Sequence, residues 1–338
     1  MQKKYLFIGP RKNIHNPELI GGIIVLFENL LEYCDEYHIE YDVIDTNKAN
    51  YKNKMYAYIQ IVVLLFKKAG NATHISLHGT ANDYLLIAPF ALVVSKFLRK
   101  HFSLRKFAGN FIEIYENYSI LQRFIINIIL KYSSCNFFET KYLIEYFKKF
   151  NTNTFWFPNA RNKSLYRTDE KFHKKFVYLG SIREEKGIDT LCAVSNLVSQ
   201  EYIIDLYGNL DDHYTENYFE NYNVNYKGSL NIEDVPKILS QYDVLILPSL
   251  REGYPGVIIE ALSVGLPIIA TKLEGIMEML DHNLFALIEP MNVHQLKNAM
   301  EAFSEENYRE KVSVSLESFR EFDTEIQSEI YFKRIEKT

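Results

Sequence analysis

The sequence predicts an α/β protein: two doubly wound parallel-sheet domains facing each other across a cleft. Three observations carry this. Apolar runs of strand length alternate with helical patterns along most of the chain. The 338 residues favour two hydrophobic cores over one. A polar stretch from 158 to 175, containing Asn159 and Asn162, interrupts the alternation once and reads as an interdomain linker.

The strands of the first half are expected at 5–8, 41–44, 74–77, 137–139 and 154–157. Between the first two, Gly21-Gly22 precedes a helical stretch whose Ile23, Leu26, Phe27 and Leu30 form one apolar face. The second half repeats the pattern, with strands at 176–179, 202–207, 224–226, 244–247, 268–270 and 285–287. Its helices are expected at 189–199, 235–240, 257–264, 276–280 and 293–303, and the last twenty residues read as a charged amphipathic helix. The expected domains are 1–160 and 161–320, with 321–338 a C-terminal helix packing back toward the first domain. Doubly wound sheets place ligands at strand ends where the strand order reverses.

Composition narrows the class. A chain 47% hydrophobic and 24% charged can bury large cores. No apolar run approaches the roughly 18 residues of a membrane span. Cys34, Cys135 and Cys192 have no paired spacing, which argues against a disulfide framework or a cysteine zinc site. The basic start runs into an apolar stretch too short for a signal peptide, so the expected location is cytoplasmic. The net charge of −5 is uneven: residues 1–160 hold 19 Lys+Arg against 13 Asp+Glu, and the remainder 19 against 30. Lys96, Arg99, Lys100, Arg105 and Lys106 are interleaved with Phe97, Leu98, Phe102, Leu104 and Phe107. Such a mix suits an anionic membrane surface or a phosphorylated acceptor. The other reading is a solvated helix face followed by a buried strand.

The most informative segment is 249–262, Ser-Leu-Arg-Glu-Gly-Tyr-Pro-Gly-Val-Ile-Ile-Glu-Ala-Leu. It follows the apolar run Val244-Leu245-Ile246-Leu247 and leads into a helical pattern. A strand, a glycine loop and a helix start leave free backbone N–H groups at the positive end of a helix dipole, which suits a phosphate. Glu252 lies on the loop and Glu260 about one turn into the helix. A carboxylate pair beside a phosphate cradle fits a ligand with phosphates and hydroxyls, such as a nucleotide sugar.

These residues resemble the retaining, metal-independent glycosyltransferases of family 4, which have the GT-B fold of two Rossmann-like domains. The likeness runs from about 5 to 335. Gly21-Gly22 matches the family's donor-facing loop and His78-Gly79 a strand-end motif. Residues 178–187, Tyr-Leu-Gly-Ser-Ile-Arg-Glu-Glu-Lys-Gly, resemble its phosphate-gripping loop. Lys227-Gly228-Ser229-Leu230 resembles the stretch beside the base, Glu252 and Glu260 its paired glutamates, and 273–278 its next loop. The family usually has Arg directly after the loop glycine; here that residue is Ser181.

The resemblance implies roles. Lys186, with Arg183 in place of the missing arginine, neutralises the leaving diphosphate where other enzymes use a metal. No Asp-X-Asp triplet occurs, in line with no metal and no cofactor. Gly253, Gly256, Val257 and Ile258 offer backbone to the phosphate or sugar. Glu252 binds sugar hydroxyls, Glu260 the ribose diol, and His78 faces the sugar. The implied reaction is transfer of a hexosyl or N-acetylhexosaminyl group from a UDP-sugar, with retained configuration. The acceptor is a glycan or lipid-linked saccharide of bacterial surface-polysaccharide synthesis at the inner membrane face, with no role for nucleic acid. An epimerase of the same fold and a non-catalytic nucleotide-sugar binder are the alternatives. A dinucleotide oxidoreductase does not fit, since Gly9-Pro10-Arg11 breaks its glycine fingerprint.

Overall fold

The computed structural model describes residues 3–16, 21–107 and 109–337. They form two compact units, Met1–Ala160 with Thr324–Thr338, and Arg161–Asp323.

The first unit is built on strands β1 (Tyr5–Gly9), β2 (Tyr41–Asp45), β3 (His74–Gly79), β4 (His101–Lys106), β5 (Cys135–Phe138) and β6 (Thr154–Trp156). All pair in parallel in the order β2-β1-β3-β4-β5-β6, with the reversal between β1 and β3. Its helices are α1 (Gly22–Glu36), α2 (Lys54–Lys68), α3 (Ala81–Leu86), α4 (Ala88–Phe97), α5 (Phe111–Glu116), α6 (Ile120–Tyr132) and α7 (Lys141–Phe147). Side-chain caps start α2, α6 and α7: Asn53, Ser119 and Thr140 accept from the third helical N–H.

Alternate side chains of the β1 strand enter two cores. Leu6 and Ile8 join α2, α4 and α6, whereas Tyr5 and Phe7 join Phe27 and Leu30 of α1 and Tyr331 and Phe332 of the C-terminal helix. A buried polar chain fixes that second layer to the sheet. His74 Nε2 and Ser103 Oγ are 2.8 Å apart, Ser103 donates to Ser76 at 2.9 Å, and Ser76 Oγ lies 2.6 Å from the Tyr331 hydroxyl.

Two expectations change here. The strand β4 takes up Arg105 and Lys106, each 1% exposed. The basic stretch is therefore a solvated helix end followed by a buried strand, and its surface charges are Lys96, Arg99 and Lys100. Arg105 is accommodated by stacking on Phe157 at 3.7 Å and donating to the Pro158 carbonyl. Burial lowers the pKa of Lys106 to about 8. His78 does not face a ligand: its ring is fully buried among Phe7, Phe27, Phe107 and Tyr331, 3.0 Å from Ser76 Oγ. It sits on the inward side of the β3 pleat, and burial holds it neutral with a pKa well below the usual histidine range.

The second unit contains β7 (Lys175–Leu179), β8 (Ile203–Tyr207), β9 (Asn225–Tyr226), β10 (Val244–Leu247), β11 (Ile268–Thr271) and β12 (Ala286–Ile288). Its helices are α8 (Ile188–Ser195), α9 (Val235–Leu239), α10 (Gly256–Val264), α11 (Glu274–Met277), α12 (Val293–Glu301) and α13 (Glu305–Phe319). The order β12-β11-β10-β7-β8-β9 is the dinucleotide-type winding, with its switch point between β7 and β10. The helix α14 (Thr324–Ile335) returns to the first unit. The stretch after Ala160 is more than a linker: Thr168 donates from N–H to the Val264 carbonyl and from Oγ1 to the Tyr242 carbonyl, and Arg167 donates to Ser263.

The buried histidines give stability a pH dependence. Burial, with the neighbouring His101, lowers His74 to about 3, and His78 is also strongly lowered. An unfolded imidazole titrates near 6.5, so below that pH the unfolded chain binds protons the folded unit refuses. Stability from this source is complete above about pH 6.5 and falls as pH falls, by on the order of 2 kcal/mol for His74 down to pH 4.5, with His78 acting in the same direction. Urea unfolding at several pH values should show this slope, and His74→Gln should flatten it.

Candidate active site

The loops at the C-terminal ends of β7 and β10 form the site of the second unit, at its switch point. Gly187 ends the first loop with φ of 71°, in the left-handed region, and a Cβ there would lie 2.0 Å from the Pro248 carbonyl oxygen. Glycine thus lets the two loops touch. They are also bonded directly, since the Leu250 and Arg251 N–H groups donate to the Glu185 carbonyl at 2.9 and 3.3 Å. A third loop closes on the second: a Cβ on Gly275 would lie 1.6 Å from the Gly253 carbonyl oxygen.

This contact brings Lys186 and Glu252 together. Lys186 Nζ lies 2.7 Å from Glu252 Oε1, which also accepts from Ser249 Oγ at 2.9 Å. The Ser249 carbonyl in turn accepts from Thr271 Oγ1 at 2.7 Å. Both bonds to Glu252 use Oε1, so Oε2 is left to accept from a ligand. Beneath the loop, the Tyr178 hydroxyl donates to the Ser181 carbonyl at 2.8 Å. Burial first, then the charge of Glu252, raises its phenol and keeps it neutral.

The second carboxylate has its own partner. Arg161 Nε lies 2.9 Å from Glu260 Oε1, and the Arg161 guanidinium covers the start of α10 so closely that a Cβ on Gly256 would lie 2.4 Å from its terminal nitrogen. Pro255 caps α10 without a side-chain hydrogen bond. The N–H groups of Gly256 and Val257 have no intrahelical acceptor, whereas that of Ile258 already donates to the Pro255 carbonyl at 3.2 Å. The cradle is therefore two N–H groups, Gly256 and Val257, facing the positive end of the helix, with Ile258 withdrawn from it.

The remaining expected residues are placed as follows. Arg183 is exposed and pairs with Glu185 at 3.2 Å instead of with Glu252. Ser181 and Gly253 are exposed on their loops, as is Ser229, while Leu230 is half-buried. Gly228, with φ of 80°, accepts through its carbonyl from the Gly208 N–H and joins the ends of β8 and β9. In the first unit Gly21 caps α1 through bonds from Ile24 and Val25, and neither Gly21 nor Gly22 has an atom within 4 Å of where a Cβ would stand. Sequence reasoning missed Arg161, which is 99 residues from its partner and lies in a polar stretch without periodic pattern. Ser249 was signalled by the Pro-Ser pair ahead of the loop.

Residues 173–306 match the family model described as Glycosyl transferases group 1. The match lies within the second unit, which is thus similar to the group 1 glycosyltransferases. The amylovoran biosynthesis glycosyltransferase AmsK of Erwinia amylovora is 24% identical over 175 residues, 48% of this chain and 43% of that protein. A shorter stretch of 42 residues is 52% identical to the Escherichia coli UDP-Gal:alpha-D-GlcNAc-diphosphoundecaprenol alpha-1,3-galactosyltransferase, covering 12% of this chain and 11% of that one. The matches thus span less than half the length of these curated relatives. Among solved structures, HepE of Anabaena in complex with UDP is similar with a TM-score of 0.71 at 14% identity, over 99% of this chain and 100% of that one. The fold is that of the GT-B glycosyltransferases, with two Rossmann-like units.

Proposed function

We propose that the protein is a retaining family 4 glycosyltransferase that moves a hexosyl or N-acetylhexosaminyl group from a UDP-sugar to an acceptor hydroxyl. The observation that carries this reading is the Lys186–Glu252 pair at the switch point, beside the uncapped start of α10. A fixed cation, free N–H groups and a carboxylate are what a diphosphate joined to a hydroxylated sugar requires.

In this reading Lys186 leaves Glu252 for the diphosphate and stabilises the charge that develops as the bond to the anomeric carbon breaks. Arg183 supplies the second positive charge. The Gly256 and Val257 N–H groups hold phosphate oxygens. Glu252 accepts from sugar hydroxyls, and Glu260, oriented by Arg161, accepts from the ribose diol. The acceptor oxygen attacks the same face that the diphosphate leaves. Its bond to the anomeric carbon forms as the carbon–phosphate oxygen bond breaks, and its proton passes to the departing diphosphate. The residues in place supply the charge needed, so no metal or cofactor enters this scheme. We propose a lipid-linked saccharide of surface-polysaccharide synthesis as acceptor, used at the inner face of the membrane. Support comes from the named pathway of the Erwinia relative and the lipid diphosphate in the name of the E. coli one.

A thermal-shift screen against nucleotide sugars tests the donor. A cognate donor at a hundred times its Kd should stabilise the protein by about 2.7 kcal/mol, whereas no shift with any UDP-sugar would refute the reading. Lys186→Ala should lower turnover at saturating donor by on the order of 10²-fold, and a chelator should leave wild-type turnover unchanged. Loss of activity to the chelator with recovery on adding Mg²⁺ or Mn²⁺ would count against the charge role of Lys186. Glu260→Ala should raise the donor Kd more than it lowers kcat, since the ribose contact is the same in ground and transition states. Calorimetric titration of UDP separates these effects, and an unchanged Kd with a collapsed kcat would contradict the assignment.

A further inference from the structure

We infer that the outer face of α2, α4 and α6 docks the first unit onto an anionic lipid bilayer. These helices belong to the first unit and the donor residues to the second, so the inference rests on different observations. The helices belong to one layer of the sheet, and α4 packs against both α2 and α6. Each buries one side and exposes large apolar residues on the other. On α2, Ala57, Ile61 and Leu65 are buried, while Met55, Ile59, Val63 and Phe66 point outward at intervals of four, four and three. On α4, Phe90, Val93 and Phe97 repeat at three and four, with Phe97 85% exposed. On α6, Ile120 and Phe124 are outward, with Ile120 90% exposed, opposite buried Ile126 and Leu130. Helices of a soluble unit normally present polar residues there. Large apolar side chains exposed on adjoining helices in this way mark an interaction site.

Charge identifies the occupant. None of the three helices contains an Asp or Glu, although the chain has 43 of them against 38 Lys+Arg. Residues 46–82, 84–112 and 117–138 are free of carboxylates altogether. Asp83, between the first two runs, is buried and paired with Lys48 at 2.5 Å. The same helices carry Lys54, Lys67, Lys68, Lys96, Arg123 and Lys131, and Arg99 and Lys100 follow α4. Apolar ridges flanked only by cations match a negatively charged headgroup layer over an acyl interior. A second copy of the chain would bring the same cations face to face and leave them unneutralised. No helix among the described residues is long and apolar enough to cross a membrane, so the contact is with the surface.

The inference deepens the lipid-linked acceptor reading by naming the surface that meets the bilayer, yet its test needs no turnover. The full chain is sedimented with vesicles of phosphatidylcholine and with vesicles that also contain phosphatidylglycerol. It should pellet with the second kind and be released as salt rises toward about 1 M. Combined Phe97→Ser, Ile120→Ser and Phe124→Ser, and separately Lys96→Glu, Arg99→Glu and Lys100→Glu, should each reduce the bound fraction by about tenfold or more. All six side chains are outside the core, so circular dichroism and the stabilisation by UDP should match wild type. Equal pelleting with both vesicle types, or undiminished binding by the serine variant, would overturn the proposal. So would a wild-type dimer in analytical ultracentrifugation that the serine variant converts to monomer while neither binds vesicles. If vesicles bind but no UDP-sugar does, the donor reading fails and the docking surface stands.

Discussion

The candidate site depends on backbone-to-backbone approach between loops that leave neighbouring strands. The ends of β7, β10 and β11 are a strand spacing apart, near 4.8 Å, too close for side chains to pass between their loops. Gly187 against the Pro248 carbonyl and Gly275 against the Gly253 carbonyl remove the obstruction. Without the first contact, Lys186 would not reach Glu252, because the two residues are separated by 66 positions and held only by their loops. The glycines therefore set the spacing of the charges, and the sheet order sets which loops meet.

That spacing has an energetic consequence. Both glutamates of the site are already neutralised, Glu252 by Lys186 and Glu260 by Arg161. An unpaired carboxylate in a partly enclosed crevice would repel a diphosphate and pay for its own desolvation. Pairing removes that penalty before any ligand arrives. It also holds each side chain in one rotamer, so less freedom is lost on binding. Attachment of Lys186 to Glu252 implies an exchange of partners when an anion enters, in which the freed carboxylate turns to hydroxyls. A cation and an anion placed side by side thus serve a ligand that has both charge and hydroxyl groups.

Much of this was legible in the sequence because parallel strands buried on both faces read as continuous apolar runs. Val244-Leu245-Ile246-Leu247 is such a run, and β10 spans the same four residues. The helix after it was legible from the glycine and proline that precede it. The strand β4 was harder: its Arg105 and Lys106 suggested a surface, and only tertiary partners, an aromatic ring and backbone carbonyls, make their burial tolerable. His78 misled for a related reason. A histidine at a strand end can point either way across the pleat, and a strand flanked by Phe7, Phe27 and Phe107 offered an interior place for it. Arg161 could not be found at all, since the pairing with Glu260 is made by the fold and not by any local pattern.

The two layers of the first unit follow opposite rules. Between α1, α14 and the sheet, polar side chains are drawn inside and satisfied in a chain from His74 through Ser103 and Ser76 to Tyr331. On the other layer apolar side chains are pushed outside while carboxylates are excluded from the helices that carry them. Stability alone favours neither arrangement: buried hydrogen-bonded hydroxyls contribute little net, and exposed phenylalanines contribute nothing. The inner chain fixes the one helix that the second unit's chain returns, since Tyr331 has its hydroxyl partner only when α14 sits in a single register on the sheet. Among the described residues, the large apolar side chains of the outer face stay exposed. Its apolar residues recur with the helical period on three separate helices, and chance exposure would scatter them around each helix.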